Sequence, residues 1–178
     1  YSLGAYRAAA VWNQLEAAGI PEVKGVYAHE AGGSRMWLTV SIKQMYGGHS
    51  KQAGLIASQC HAGAYANRWV VVVDDDIDIF DDAQIEWAMA TRFQPDRDLV
   101  VQGGMRTLPL DPSLYGALVG SKAGFDLTVA ADRKQAIEFT VPAPPTVVGE
   151  RFNSVRIALE DGPKSFEALM AALGTRDG

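Results

Sequence analysis

Lys43, Tyr46 and His49 fall within seven residues and are the side chains best suited to chemistry. The lysine supplies a positive charge with three donors, the tyrosine a phenol and the histidine an imidazole. Together they offer one anion anchor and two proton-capable groups. Gly47 and Gly48 separate the tyrosine from the histidine, and a helical pattern opens near Ser50. A cation beside a glycine-bearing turn and a helix N-terminus suits an anion, because the helix's free N–H groups and dipole add to the lysine charge. The plainer alternatives are a solvated strand-end lysine and a chance assembly of the three residues.

Asp74, Asp75, Asp76 and Asp78 follow the apolar run Trp69–Val73. Carboxylates at the carboxyl end of a central strand are where many α/β proteins meet ligands or divalent metals. Here alternation divides them between two faces, and no His or Glu stands at ligand spacing. Capping, turn formation and pairing with Arg68 or Arg92 account for them, and no metal ligands are assigned. His29 closes a strand next to Glu30 and reads as half of a polar pair. His61, near Gly63, reads as a surface or helix-end residue. Cys60 is the only cysteine, which rules out an intrachain disulfide and fits a reducing cytoplasm. Its helical spacing with Ala53, Ile56, Ala57 and Ala64 points to packing rather than nucleophilic work. No G-x-G-x-x-G, G-x-S-x-G, H-E-x-x-H or paired C-x-x-C motif occurs.

The elements that must hold these residues follow from periodicity. Met36, Leu38, Val40 and Ile42 alternate with Trp37, Thr39, Ser41 and Lys43, which predicts a strand with one buried face. Before it lie a helix over residues 2–18, a strand around Val23–His29 and a hairpin-like connection at Ala31–Ser34. After it come a small-residue helix from Ser50 to about Ala66 and a strand at Trp69–Val73 covered on both faces. A helix capped by Asp81 or Asp82 buries Ile85, Ala88 and Met89, and a strand begins at Leu99. Residues 103–124 carry little periodicity and read as a functional segment, an interface arm or a stretch disordered when excised. Phe125–Ala131 and Ile137–Val141 are strand-like, Pro142–Pro145 and Thr146–Gly149 form a linker, and Pro163 opens a last helix with Phe166, Leu169, Met170 and Leu173 on one stripe. Strands alternating with helices predict an α/β fold, three-layer α/β/α, with a mixed, largely parallel sheet.

At 178 residues, 48% apolar and 21% charged, the chain suits one globular domain. A net charge of -5 with scattered basic residues argues against nucleic acid as a partner, and no apolar run is long enough for a membrane span. The chain opens on a helical pattern without Met, so it is expected to be a piece of something longer.

Five strings resemble, in order, the C-terminal part of the UbiD-like decarboxylases: SIKQMYGGHSKQ (Ser41–Gln52), WVVVVDDDID (Trp69–Asp78), WAMATRFQPDRDLVV (Trp87–Val101), LDPS (Leu110–Ser113) and GSKAGFDLT (Gly120–Thr128). The family pattern runs roughly S-I-K-x-x-Y-P-G-H, V-V-D-D-D, W-A-x-x-T-R-x-x-P-x-R-D and G-S-K-x-G-x-D-x-T, and Gly47 stands where the family has proline. The resemblance implies reversible decarboxylation of aromatic, heteroaromatic or α,β-unsaturated carboxylic acids with prenylated FMN, and with Mn2+ and K+ near its phosphate. It implies a domain layout too: residues 1–19 end an interdomain helix, 20–145 form the C-terminal α/β domain, and 146–178 are a linker and a C-terminal helix able to dock on a partner subunit. Lys43 would reach the flavin phosphate, and Tyr46 and His49 would border the substrate pocket. Ser121 and Lys122 match the family without a role.

The catalytic residues and metal ligands would lie in an N-terminal flavin-binding domain, so no catalytic residue is expected in this chain, which alone should be inactive. The expected whole is a cytoplasmic homodimer or higher homo-oligomer acting on a small aromatic acid. The competing reading is a stand-alone α/β module for oligomerisation or small-ligand binding.

Overall fold

Ala8, Val11 and Leu15, spaced for a helix, give α1 (Ser2–Ala17) one buried stripe. β1 (Val23–Ala28) and β2 (Trp37–Ile42) pair antiparallel across the connection around Gly32 and Gly33. α2 (His49–Gln59) crosses to β3 (Trp69–Asp74), which lies parallel to β2. α3 (Asp82–Arg92) and the single turn α4 (Pro95–Asp98) lead to β4 (Leu99–Arg106), and β5 (Val119–Asp126) returns beside it. The computed structural model describes residues 2–64, 66–129, 141, 154–160 and 162–173. They divide into two units, Tyr1–Val141 and Pro142–Gly178.

The five-stranded sheet of the first unit runs β1-β2-β3-β5-β4. Its central trio β2, β3 and β5 is parallel, and both outer strands are antiparallel to their neighbours. α1 and α2 cover one face over Leu38, Val40, Ile42, Val70 and Val72. α3 covers the other, where Ile85 and Ala88 pack with Val71, Val73, Ile77, Ile79 and Leu127. The sheet is therefore mixed and sits in an α/β/α sandwich, with alternate valines of β3 feeding the two cores as an unbroken apolar run requires.

Three local expectations change. β2 is covered on both faces rather than one: Thr39 is fully buried against His29, whose Nε2 lies 2.8 Å from its Oγ1, and the buried Ser41 hydroxyl donates to the Asp74 carbonyl at 3.5 Å. Polar residues on a strand look solvent-facing until partners satisfy them inside. The second helix begins at His49 and stops at Gln59, well short of Ala66. The chain folds back so tightly there that a Cβ on Gly63 would clash with the Ala57 carbonyl oxygen. Residues 103–124 are less irregular than their pattern suggests. β4 and β5 run through both ends as a hairpin, and a register shift between Gln102 and Met105 breaks the alternation.

The strand expected at Phe125–Ala131 starts earlier, as β5. Ile137–Thr140 and the linker at Pro142–Gly149 lie outside the described residues. In the second unit, α5 (Val155–Ala158) is capped by Ser154, and α6 (Phe166–Leu173) follows Ser165, whose hydroxyl accepts from the Ala168 N–H at 3.2 Å. No helix among the described residues is long and apolar enough to cross a membrane.

Candidate functional site

The parallel strands end together at Ile42, Asp74 and Asp126, and the turn at residues 43–48 rises from that edge. Backbone and side chain anchor its foot. The Lys43 N–H donates to the Glu22 carbonyl at 3.0 Å, and Gln44 Nε2 donates to Asp74 Oδ1 at 2.9 Å and to the Val129 carbonyl at 2.8 Å. Met45 to Gly48 are exposed above this foot. Gly48 caps α2 at φ 85°, a left-handed conformation that favours glycine.

The structure brings Tyr46 and His49 together. Their rings stack with centroids 4.6 Å apart, and the Tyr46 hydroxyl donates to Gln52 Oε1 at 2.8 Å. His49 is 0% exposed, so the imidazole lies under the phenol rather than at the surface. Its Nδ1 accepts from the Met45 N–H at 3.3 Å, which assigns the ring proton to Nε2. Nε2 is buried with no hydrogen-bond partner among the described residues. Burial pushes the imidazole pKa below its ordinary value, and the Pro21 carbonyl opposes the shift. Burial thus favours the neutral ring, which stacks beneath Tyr46 at the foot of the turn.

Lys43 shares the turn but contacts neither ring by a hydrogen bond. Its side chain is exposed, and its ammonium is hydrogen-bonded to none of the described residues. A carboxylate its charge acts on, Glu22, is already paired with Lys24 at 2.7 Å. An unspent cation thus stands at the strand edge, six residues ahead of a helix N-terminus.

The acidic cluster has structural partners. Arg92, buried, makes a bidentate pair with Asp76 at 2.9 and 2.5 Å and reaches Asp74 at 3.6 Å. Asp74 also accepts from the Val129 N–H at 2.7 Å, and Asp78 accepts from the Phe80 N–H at 3.0 Å. Arg68 pairs with Asp111 at 2.8 Å instead. Among the described residues no three His, Cys, Asp or Glu side chains are grouped to hold a metal ion such as Mn2+.

Sequence reasoning left Lys122 without a role. It is 1% exposed, and its ammonium donates to the carbonyls of Ser58, Gly63 and Ala64 at 2.7, 2.8 and 2.7 Å. The available signal was a lysine flanked at alternate positions by glycines, Gly120 and Gly124, on a strand of the sheet. His29 is fixed between Thr39 and Asp82, the latter 3.3 Å from its Nδ1. It lines a hollow of about 380 Å³ with Trp37, Trp69 and Ile85, at the strands' other edge.

The fold is a mixed α/β sandwich with a lysine-bearing turn at the carboxyl edge of its parallel strands, the edge where open α/β sheets bind ligands. The chain belongs to the UbiD family: residues 1–127 match its C-terminal domain, described as that of 3-octaprenyl-4-hydroxybenzoate carboxy-lyase. It is 35% identical over 136 residues to anhydromevalonate phosphate decarboxylase of Aeropyrum pernix, covering 76% of this chain and 30% of that protein. With gallate decarboxylase of Lactiplantibacillus plantarum it shares 40% identity over 138 residues, 70% of this chain and 28% of that protein. The solved UbiD-class enzyme HmfF from Pelotomaculum thermopropionicum, in complex with FMN, superposes with a TM-score of 0.71 at 32% identity, over 80% of this chain and 31% of that one. The chain spans about 30% of the length of the curated relatives it matches.

Proposed function

We propose that this chain is the pocket-completing and dimerising domain of a reversible, non-oxidative decarboxylase that uses prenylated FMN. Its substrates are aromatic, heteroaromatic or α,β-unsaturated carboxylic acids. The observation that carries the reading is Lys43: an exposed ammonium ion-paired with no carboxylate among the described residues, at the edge where parallel strands end. That residue fits a flavin phosphate brought by an N-terminal domain of the same protein. The cofactor, when bound, supplies the chemistry of carbon–carbon cleavage. Lys43 holds its phosphate, Tyr46 borders the acid substrate, and the buried, neutral His49 supports Tyr46 from beneath. The N-terminal domain supplies the catalytic residues and the ligands of Mn2+ and K+, so this chain alone is inactive. The domain occupies residues 20–145, after an interdomain helix ending at 19 and before a linker and partner-docking helix at 146–178. The enzyme works in the cytoplasm.

The test is Lys43→Ala in the full-length protein. Flavin occupancy after gel filtration should fall about tenfold or more, the scale of one lost charge-assisted contact. Unchanged occupancy would remove Lys43 from the site. Turnover by this chain alone with added prenylated FMN would overturn the division of labour.

A further inference from the structure

The GSKAGFDLT string lies on β5 and its exit, and two of its residues, Lys122 and Asp126, reach opposite ends of α2. At the far end, the Lys122 ammonium spends its three protons on the carbonyls of Ser58, in the last turn of α2, and of Gly63 and Ala64 just beyond. These are carbonyls that a terminating helix leaves without internal partners, at the negative end of its dipole. Burial pushes the ammonium pKa down to about 8, with the Cys60 thiol opposing, so the cation persists at neutral pH. At the near end, Asp126 Oδ2 accepts from the Ser50 hydroxyl at 2.5 Å, while Oδ1 accepts from the N–H and hydroxyl of Thr128 at 3.1 and 2.6 Å. Ser50 is buried and immediately follows His49.

The dimensions agree. Lys122 and Asp126 lie on one face of the strand, about 13 Å apart at the usual rise. Ser50 and Ser58 lie about 12 Å apart along the helix. Between them Gly54 lets the helix settle onto the sheet, where a Cβ would meet Val72 Cγ2 at 3.3 Å. One strand thus grips one helix at both ends, and the helix starts with the imidazole that supports Tyr46.

We infer that Lys122 and Asp126 are positioning residues: by clamping α2 at its two ends they hold the Tyr46–His49 turn at the strand edge. The inference rests on the proposed site for its functional meaning, yet its test needs no cofactor. The NMR titration of the His49 ring and the hydrogen exchange of α2 amides are measured in the full chain. Lys122→Met removes the far clamp and Ser50→Ala the near one. Each should move the His49 midpoint up toward 6.5, as the ring gains water, and speed α2 exchange by about tenfold or more relative to β2 and β3. Val11→Ala, a core truncation on α1, should lower the melting temperature and leave the His49 midpoint where it is. An unmoved midpoint in folded Lys122→Met and Ser50→Ala overturns the inference. If Lys122→Met does not fold, an unmoved midpoint in Ser50→Ala overturns it alone. Flavin retention in Lys43→Ala is a separate measurement, so either reading can fail without the other.

Discussion

Burial lowers the pKa of both His49 and His29. In the unfolded chain each imidazole takes its proton near pH 6.5, whereas in the fold each takes it only at lower pH. Between the depressed values and 6.5 the unfolded state holds more protons, so stability rises with pH there and is lost as pH falls. Unfolding midpoints in urea should therefore drop between about pH 7 and about pH 5. His49→Gln should flatten that slope; an equally steep profile would show that His49 is not one of the groups responsible. Arg92 makes a second residue-scale case. Its guanidinium is buried against Asp76 and the buried Asp74, so Arg92→Leu strands a carboxylate inside the edge. The expected cost is about 3–5 kcal/mol, read from denaturant unfolding. A cost near zero would mean that Asp74's other contacts, Gln44 and the Val129 N–H among them, suffice without the guanidinium.

The elements show what a one-dimensional pattern can carry. Trp69–Val73 announces a strand buried on both faces because five consecutive apolar residues leave no polar side. Asp81 is legible as a cap, and its Oδ1 accepts from the Ala83 N–H at 3.0 Å. β2 is misread for the opposite reason: its polar residues are buried, and their partners, His29 and the Asp74 carbonyl, are remote in sequence. The site divides the same way. Lys43, Tyr46 and His49 stand out by type and spacing, but which of them faces water depends on packing. Lys122 could not be assigned because its three acceptors are backbone carbonyls, which no sequence displays. The end of α2 is hidden for the same reason, since it is set by the close approach of Gly63 to Ala57. Gly63→Ala should therefore push the 60–64 turn away and drag two of Lys122's acceptors with it, at a cost of about 2 kcal/mol or more. Thermal unfolding checks it, and a melting temperature equal to wild type would contradict the packing.

At the scale of the molecule, the hairpin end of the first unit leaves apolar side chains in water. Leu110 is 74% exposed, Tyr115 97%, Leu118 60% and Val119 59%. They sit on and beside the 107–118 connection, which the Thr107 N–H ties to the Leu118 carbonyl at 3.1 Å. β4 is the outermost strand on this side among the described residues, and its Val101 is 63% exposed, so the sheet's β4 edge adjoins the same hairpin. Single exposed apolar residues are ordinary, but several on one projecting arm beside a sheet edge mark a surface that gains by being covered. Under the proposed homodimer, a second copy covers it. Sedimentation of the chain should show a concentration-dependent dimer, and Leu118→Lys combined with Val119→Thr should shift it toward monomer while far-ultraviolet dichroism stays unchanged. A strict monomer at the highest attainable concentration would assign this arm to a partner outside the chain. The proposed domain would then keep its pocket role through Lys43 and lose its part in assembly.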